Sequence, residues 1–110
     1  MPAQDRRSAR RLIMRVPLRF RPLKETSAKE VTAASMNISP HGVFFATEQR
    51  VSEGLLLQVH LKMPREIAGD DVDEWSFTAR VAHVESLGKK NEISGVGVQF
   101  LYYEVPPASI

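Results

Sequence analysis

From residue 16 onward, apolar and polar side chains alternate with period two in short blocks separated by turn residues. That is the pattern of strands with one buried face. In the first block Val16, Leu18 and Phe20 point one way while Arg19 and Arg21 point the other, and Pro22 limits how far the strand runs. A second block, residues 29 to 39, places Met36 and Ile38 on the core face and Ser35, Asn37 and Ser39 on the opposite face. Pro40, His41 and Gly42 then turn the chain into a third strand, Val43 to Thr47. The fourth block is the most regular, with Leu55, Leu57, Val59, Leu61 and Met63 alternating against Leu56, Gln58, His60 and Lys62.

A charged loop from Pro64 to Asp73 leads to a fifth strand marked by Trp75, Phe77, Ala79 and Val81. There the phase slips, because Val84 and not His83 is the next large apolar residue; a bulge is expected at this point. The last block, Ile93 to Tyr103, sets Val96, Val98 and Phe100 on one side and Gly95 and Gly97 on the other, where another backbone can approach closely. Six strands without an amphipathic helix predict an all-β fold, a small antiparallel barrel or sandwich.

At 110 residues the chain suffices for one core. It contains no cysteine, which excludes a disulfide framework, a thiol nucleophile and a zinc–cysteine site. The longest unbroken apolar run, Val43 to Ala46, is far below the roughly 20 residues of a membrane-spanning helix. No signal-peptide core follows the basic start, so a cytoplasmic location is expected. Catalysis is not expected: Ser39 and His41 lack an acidic orienter, His41, His60 and His83 lack metal-ligand spacing, and the glycines form no phosphate loop.

The net charge of +2 conceals an asymmetry. Residues 1–24 carry eight Arg and Lys against Asp5 alone, whereas the remainder is acidic. A basic head of this kind suits an anionic partner. Residues 1–10 are expected to be a flexible basic segment and residues 11–15 a loosely held strap, since few large apolar residues are available to anchor them.

Two polar constellations flank the first strands. One is Arg11-Leu12-Ile13-Met14-Arg15, running into Val16-Pro17; the other is Asn37-Ile38-Ser39-Pro40-His41-Gly42. Side chains two apart on a strand share a face, so Asn37 and Ser39 project together, and Gly42 is free to take positive φ in the turn or to admit a ligand or backbone.

With its Arg-x-x-x-Arg step, its Asn-x-Ser-x-x-Gly step about twenty residues later and its closing Gly95-Val96-Gly97-Val98-Gln99-Phe100, the chain resembles the PilZ domain family, bacterial receptors for cyclic di-GMP. Phe77-Thr78-Ala79-Arg80-Val81 is similar to the family's penultimate strand. The resemblance implies a PilZ-type six-stranded barrel over residues 11–105, with residues 106–110 a short tail. It also implies a ligand site of Arg10, Arg11, Arg15, Asn37, Ser39 and Gly42, with Arg10 bearing on whether one ligand or an intercalated pair binds. Arg6 to Arg10 and Arg7 to Arg11 satisfy the same spacing, but only Arg11 to Arg15 abuts the Val16-Pro17 strand entry.

A guanidinium fork suits both the phosphodiesters and the Hoogsteen edges of the guanines of cyclic di-GMP. Family members commonly carry Asp at the position of Asn37 and end in a helix, which Pro106 and Pro107 disfavour here. Without that helix, Leu101, Tyr102 and Tyr103 are left at an apolar barrel end, open to a partner or to self-association as a homodimer. No cofactor is implied beyond the ligand, and the expected output is a downstream protein partner, without membrane insertion. Arg80 and His83 are candidate extra contacts better explained as surface residues, and Trp75 is better explained as core or rim cover. Two other readings stay open: a ligand-independent PilZ-like adaptor in pilus or motility machinery, and a small β-barrel that binds nucleic acid through the basic head.

Overall fold

The computed structural model describes residues 11–25, 27–69, 74–88 and 92–104. Six strands, β1 (Pro17–Pro22), β2 (Val31–Ser39), β3 (Gly42–Thr47), β4 (Leu56–Lys62), β5 (Glu74–Ser86) and β6 (Ser94–Glu104), close into an antiparallel barrel in the order β1-β2-β3-β6-β5-β4. The period-two alternation is the cause: each strand offers one apolar face, and closing the sheet buries all six faces while leaving the barrel without free edges around its circumference. Phe20, Ile38, Phe45, Leu57, Val59, Leu61, Phe77, Ala79, Val81 and Val96 fill the interior with almost no exposure. Burial of each large side chain contributes roughly 1.5–3 kcal/mol.

In β2 the predicted phase is wrong at two residues, Ser35 and Met36. The pairing of β2 with β3 runs Ser35 to Phe45 and then Asn37 to Phe44, so Met36 is an extra residue in a bulge. Ser35 therefore points inward and is 3% exposed, while Met36 is expelled and 45% exposed. Burial of the hydroxyl is tolerated because it accepts the Val16 N–H at 2.8 Å and donates to the Met14 carbonyl at 2.6 Å. The bulge expected after Val81 is present: Val81 pairs with Val98 and His83 with Gly97, which returns Val84 to the inward face opposite Val96. A second shift, between Thr78 and Ala79, leaves Leu101 as the extra residue of β6.

Where the sequence predicts only a loop, Arg65–Ala68 forms a single helical turn, α1, entered from Pro64 and closed by Gly69 at φ 70°. Ile67 and Ala68 pack from it onto the core. Trp75 is rim cover, stacked on Tyr103 at 4.9 Å between ring centroids and 6.0 Å from Phe77. Tyr102 is 66% exposed, and Leu101 and Tyr103 are exposed beside it.

The strap is not loosely held over its described part. Leu12 forms an antiparallel bridge with Ile38 and packs on the core, and the Ser35 hydroxyl ties Met14 and Val16. Backbone hydrogen bonds to β2, together with Leu12 on the core, supply the anchoring. The expected flexible segment 1–10 and the tail 106–110 lie outside the described residues.

Candidate functional site

An open cleft of about 480 Å³ lies on the outer wall of the barrel. Strand register builds it from two cross-strand rows. In one, Ser39 of β2 faces Gly42 of β3, Gly42 faces Gln99 of β6, and Gln99 faces Arg80 of β5. In the other, Asn37 faces Phe44, Phe44 faces Gly97, and Gly97 faces His83. The two rows are neighbours because Asn37 and Ser39, Gly42 and Phe44, and Gly97 and Gln99 are each two apart on their strands. The isolated Leu12–Ile38 bridge ties the strap to β2 and brings Arg11 alongside Ser39 at the mouth of the cleft.

Arg11, Asn37, Ser39 and Gly42 thus line one cavity, as the motif spacing predicts. Arg15 does not line it. Val16 next to it is buried, and alternation turns Arg15 outward on the same side of the strap as Arg11, about 13 Å farther along an extended chain. Arg10 lies outside the described residues.

Gly42 departs from its predicted conformation. The glycines with positive φ among the described residues are Gly54 and Gly69, not Gly42. What Gly42 provides is close approach: a Cβ there would lie 2.2 Å from the Val98 carbonyl oxygen. Close approach at Gly95 also differs in kind from the expectation, since the neighbour is the Phe44 side chain and not a backbone.

The turn holding the motif is fixed from both sides. The His41 N–H donates to Ser39 Oγ at 3.1 Å, and the Phe100 N–H donates to the His41 carbonyl at 2.8 Å. Ser39 Oγ keeps its own proton for a ligand. On the far wall, Gln99 Oε1 accepts at 3.2 Å from Arg80, which lies outside the lining, leaving the Gln99 amide N–H₂ to donate elsewhere, and His83 Nε2 sits 2.7 Å from Glu85 Oε1, also outside the lining. Among the described residues no Asp or Glu lines the cleft, and Arg11 is the arginine that does. An array of donors with a guanidinium and no carboxylate is suited to an anion that also presents hydrogen-bonding edges. Sequence reasoning missed Phe44, His41, Gly97 and Gln99 as lining residues and ranked His83 as surface. Phe44 had one legible sign, being the outward member of the Phe44-Phe45 pair.

The PilZ domain family model matches residues 4–107 of the chain. Among solved structures, the chain is similar to the Bacillus subtilis inhibitor of motility MotI/DgrA, with a TM-score of 0.67 at 16% identity. That match covers 92% of this chain and 44% of the other, so the chain spans less than half the length of its structural neighbour. No curated protein sequence matches significantly.

Proposed function

The chain belongs to the PilZ domain family, and from that premise we propose that it is a cyclic di-GMP receptor, a binding module that passes ligand binding on to a protein partner. The observation that carries this reading is the convergence of Arg11, Asn37, Ser39 and Gly42 on one cleft whose described lining holds no carboxylate. Arg11 supplies a planar fork to a phosphate or to guanine O6 and N7. Asn37 accepts from a guanine N–H through its side-chain carbonyl, and the Ser39 hydroxyl donates to a phosphate. Arg15, farther along the strap, serves the part of the ligand that projects beyond the cleft. A volume of about 480 Å³ lies within the usual range for a small-ligand site.

The strap supports the transmission part of this reading: Arg11 borders the cleft, and Ile13, two residues on and 92% exposed, lies on the same face, so a ligand held by Arg11 changes the surface that a partner meets. The structural neighbour is named an inhibitor of motility, which makes a motility output the first to examine. No helix among the described residues is long and apolar enough to cross a membrane. Calorimetric titration with cyclic di-GMP tests the reading and gives the stoichiometry. Saturable binding with one or two ligands per chain is expected; no binding at 100-fold excess over protein overturns it.

A further inference from the structure

We propose that Phe44 is an aromatic platform on which the cleft stacks a purine ring of its ligand. The inference deepens the receptor reading and rests on it only for the identity of the natural ligand. In the run Val43-Phe44-Phe45-Ala46, Phe45 is fully buried in the barrel, so alternation throws Phe44 onto the outer wall. A phenyl ring on an outer wall would ordinarily stand in solvent. Here it has a built recess.

Gly95 and Gly97 of β6 both present their Cα hydrogens outward beneath the ring. A Cβ at Gly95 would lie 2.5 Å from the Phe44 Cζ, and one at Gly97 would lie 3.5 Å from its Cδ1. The ring therefore reaches along β6 over both glycines, filling space that any other residue at 95 would occupy. Leu87 closes the far end, its two terminal methyls 3.2 Å from the same Gly95 position. Its backbone is held by the hydrogen bond from the Leu87 N–H to the Ile93 carbonyl at 2.9 Å. Phe44 is thus half-buried and fixed before any ligand arrives, and the rest of its surface borders the cleft between Asn37 and His83.

The composition of the cleft gives that surface a use. Its polar groups address the edges and phosphates of a nucleotide, but a base also has two faces. Val43 and Val98 point into the core, so among the described residues Phe44 is the large apolar surface the cleft offers. Stacking of a base on an aromatic side chain is worth about tenfold or more in affinity, and it grows with ring area, which favours purines. A ring serving merely to cover Gly95 would be replaceable by leucine.

The test compares the intact chain with Phe44→Leu, which keeps an apolar cover on Gly95, and with Phe44→Trp, using cyclic di-GMP, GMP and ribose 5-phosphate as probes. Affinity is read by calorimetry, and ring-current shift of the guanine H8 proton by NMR. The expected result is an upfield H8 shift with the intact chain, a loss of about tenfold in guanine-ligand affinity together with that shift in Phe44→Leu, retention of both in Phe44→Trp, and ribose 5-phosphate binding unchanged throughout. Cyclic di-GMP binding with no H8 shift, or with equal affinity in Phe44→Leu, overturns the platform and leaves the receptor reading standing. Phe44-dependent GMP binding without preference for cyclic di-GMP upholds the platform and overturns the receptor reading. Absence of any purine binding overturns both.

Discussion

Leu12 and Ile38 exchange both of their backbone hydrogen bonds, the Leu12 N–H donating to the Ile38 carbonyl at 2.7 Å and the Ile38 N–H to the Leu12 carbonyl at 2.9 Å. Ile38 lies between Asn37 and Ser39, and Leu12 follows Arg11. One pair of hydrogen bonds therefore locks the arginine motif to the asparagine–serine motif, across 26 residues of sequence. Arg11→Ala is expected to lower cyclic di-GMP affinity about 10- to 100-fold, the loss of a charge-assisted hydrogen-bonding side chain. The urea midpoint should not move, because Arg11 is exposed. Arg15→Ala should weaken binding as well, and Arg6→Ala much less. If Arg6 is the critical residue, the frame of the motif is misassigned.

The same ties change what a protease should see. In the free protein the Leu12 N–H is bonded to Ile38 and the Val16 N–H to Ser35 Oγ, so the peptide bonds after Arg11 and Arg15 are both pinned. Cleavage by trypsin needs an extended, released segment, and a loosely held strap would be cut readily at these sites. With the ties present, limited proteolysis followed by mass spectrometry should show both bonds resisting trypsin without ligand. Rapid cutting after Arg15 in the free protein would mean that the Ser35 contacts open easily.

Ser35→Ala isolates that contribution. It leaves the Val16 N–H and the Met14 carbonyl without their partner at a position where Ser35 is buried. An orphaned buried polar group costs about 1–3 kcal/mol. Urea denaturation should show a loss in that range, with accelerated trypsin cutting after Arg15 in the variant. A loss below about 0.5 kcal/mol would show that water replaces the hydroxyl at no cost.

Much of the barrel was legible because closing a sheet gives every strand one buried face, and alternation records that face directly in β1, β4 and the first half of β5. Even the bulge after Val81 announced itself through Val84. The inward turn of Ser35 did not, since one inserted residue reverses the face, and what makes a buried serine acceptable lies about twenty residues upstream on the strap. In the site, Asn37 and Ser39 could be paired from their spacing alone. Phe44, Gln99 and His83 could not be joined to them, because their proximity depends on β6 inserting between β3 and β5, a pairing order with no local trace. Gly42 was noticed for a reason that holds only in part: the backbone it admits is that of Val98, and its φ is not positive.

Two glycines on the cleft floor should separate folding from binding. At Gly42 a methyl group would meet the Val98 carbonyl oxygen at 2.2 Å, a backbone atom that cannot yield without breaking the pairing of β3 with β6. Gly42→Ala should cost about 1–3 kcal/mol or more in urea denaturation. At Gly97 a methyl group would meet Phe44 and His83 at 3.5 and 3.7 Å, ordinary contact distances. Gly97→Ala should therefore keep nearly full stability while reducing cyclic di-GMP affinity, because the added methyl stands on the floor of the cleft. Unchanged affinity in Gly97→Ala would place the ligand away from this wall.

The basic head leaves a nucleic-acid reading to be tested against the receptor reading, and salt separates them. A polyanion trap binds by releasing counterions, so its affinity falls steeply with salt, with a slope of roughly −0.7 per phosphate neutralised on a single strand. Such a trap also takes any nucleotide chain of sufficient length. A compact dinucleotide held by Arg11, Asn37 and Ser39 neutralises only two phosphates, and its remaining affinity comes from base edges that salt does not screen. Binding of cyclic di-GMP should accordingly weaken by less than about tenfold between 50 and 200 mM salt. GTP should bind much more weakly at every salt concentration, since it does not present two guanines and two bridging phosphates in one ring. Single-stranded RNA should not compete at 200 mM salt. Equal competition by GTP, cyclic di-GMP and RNA, all collapsing together as salt rises, would assign the basic head to nucleic acid and leave the cleft without its proposed ligand.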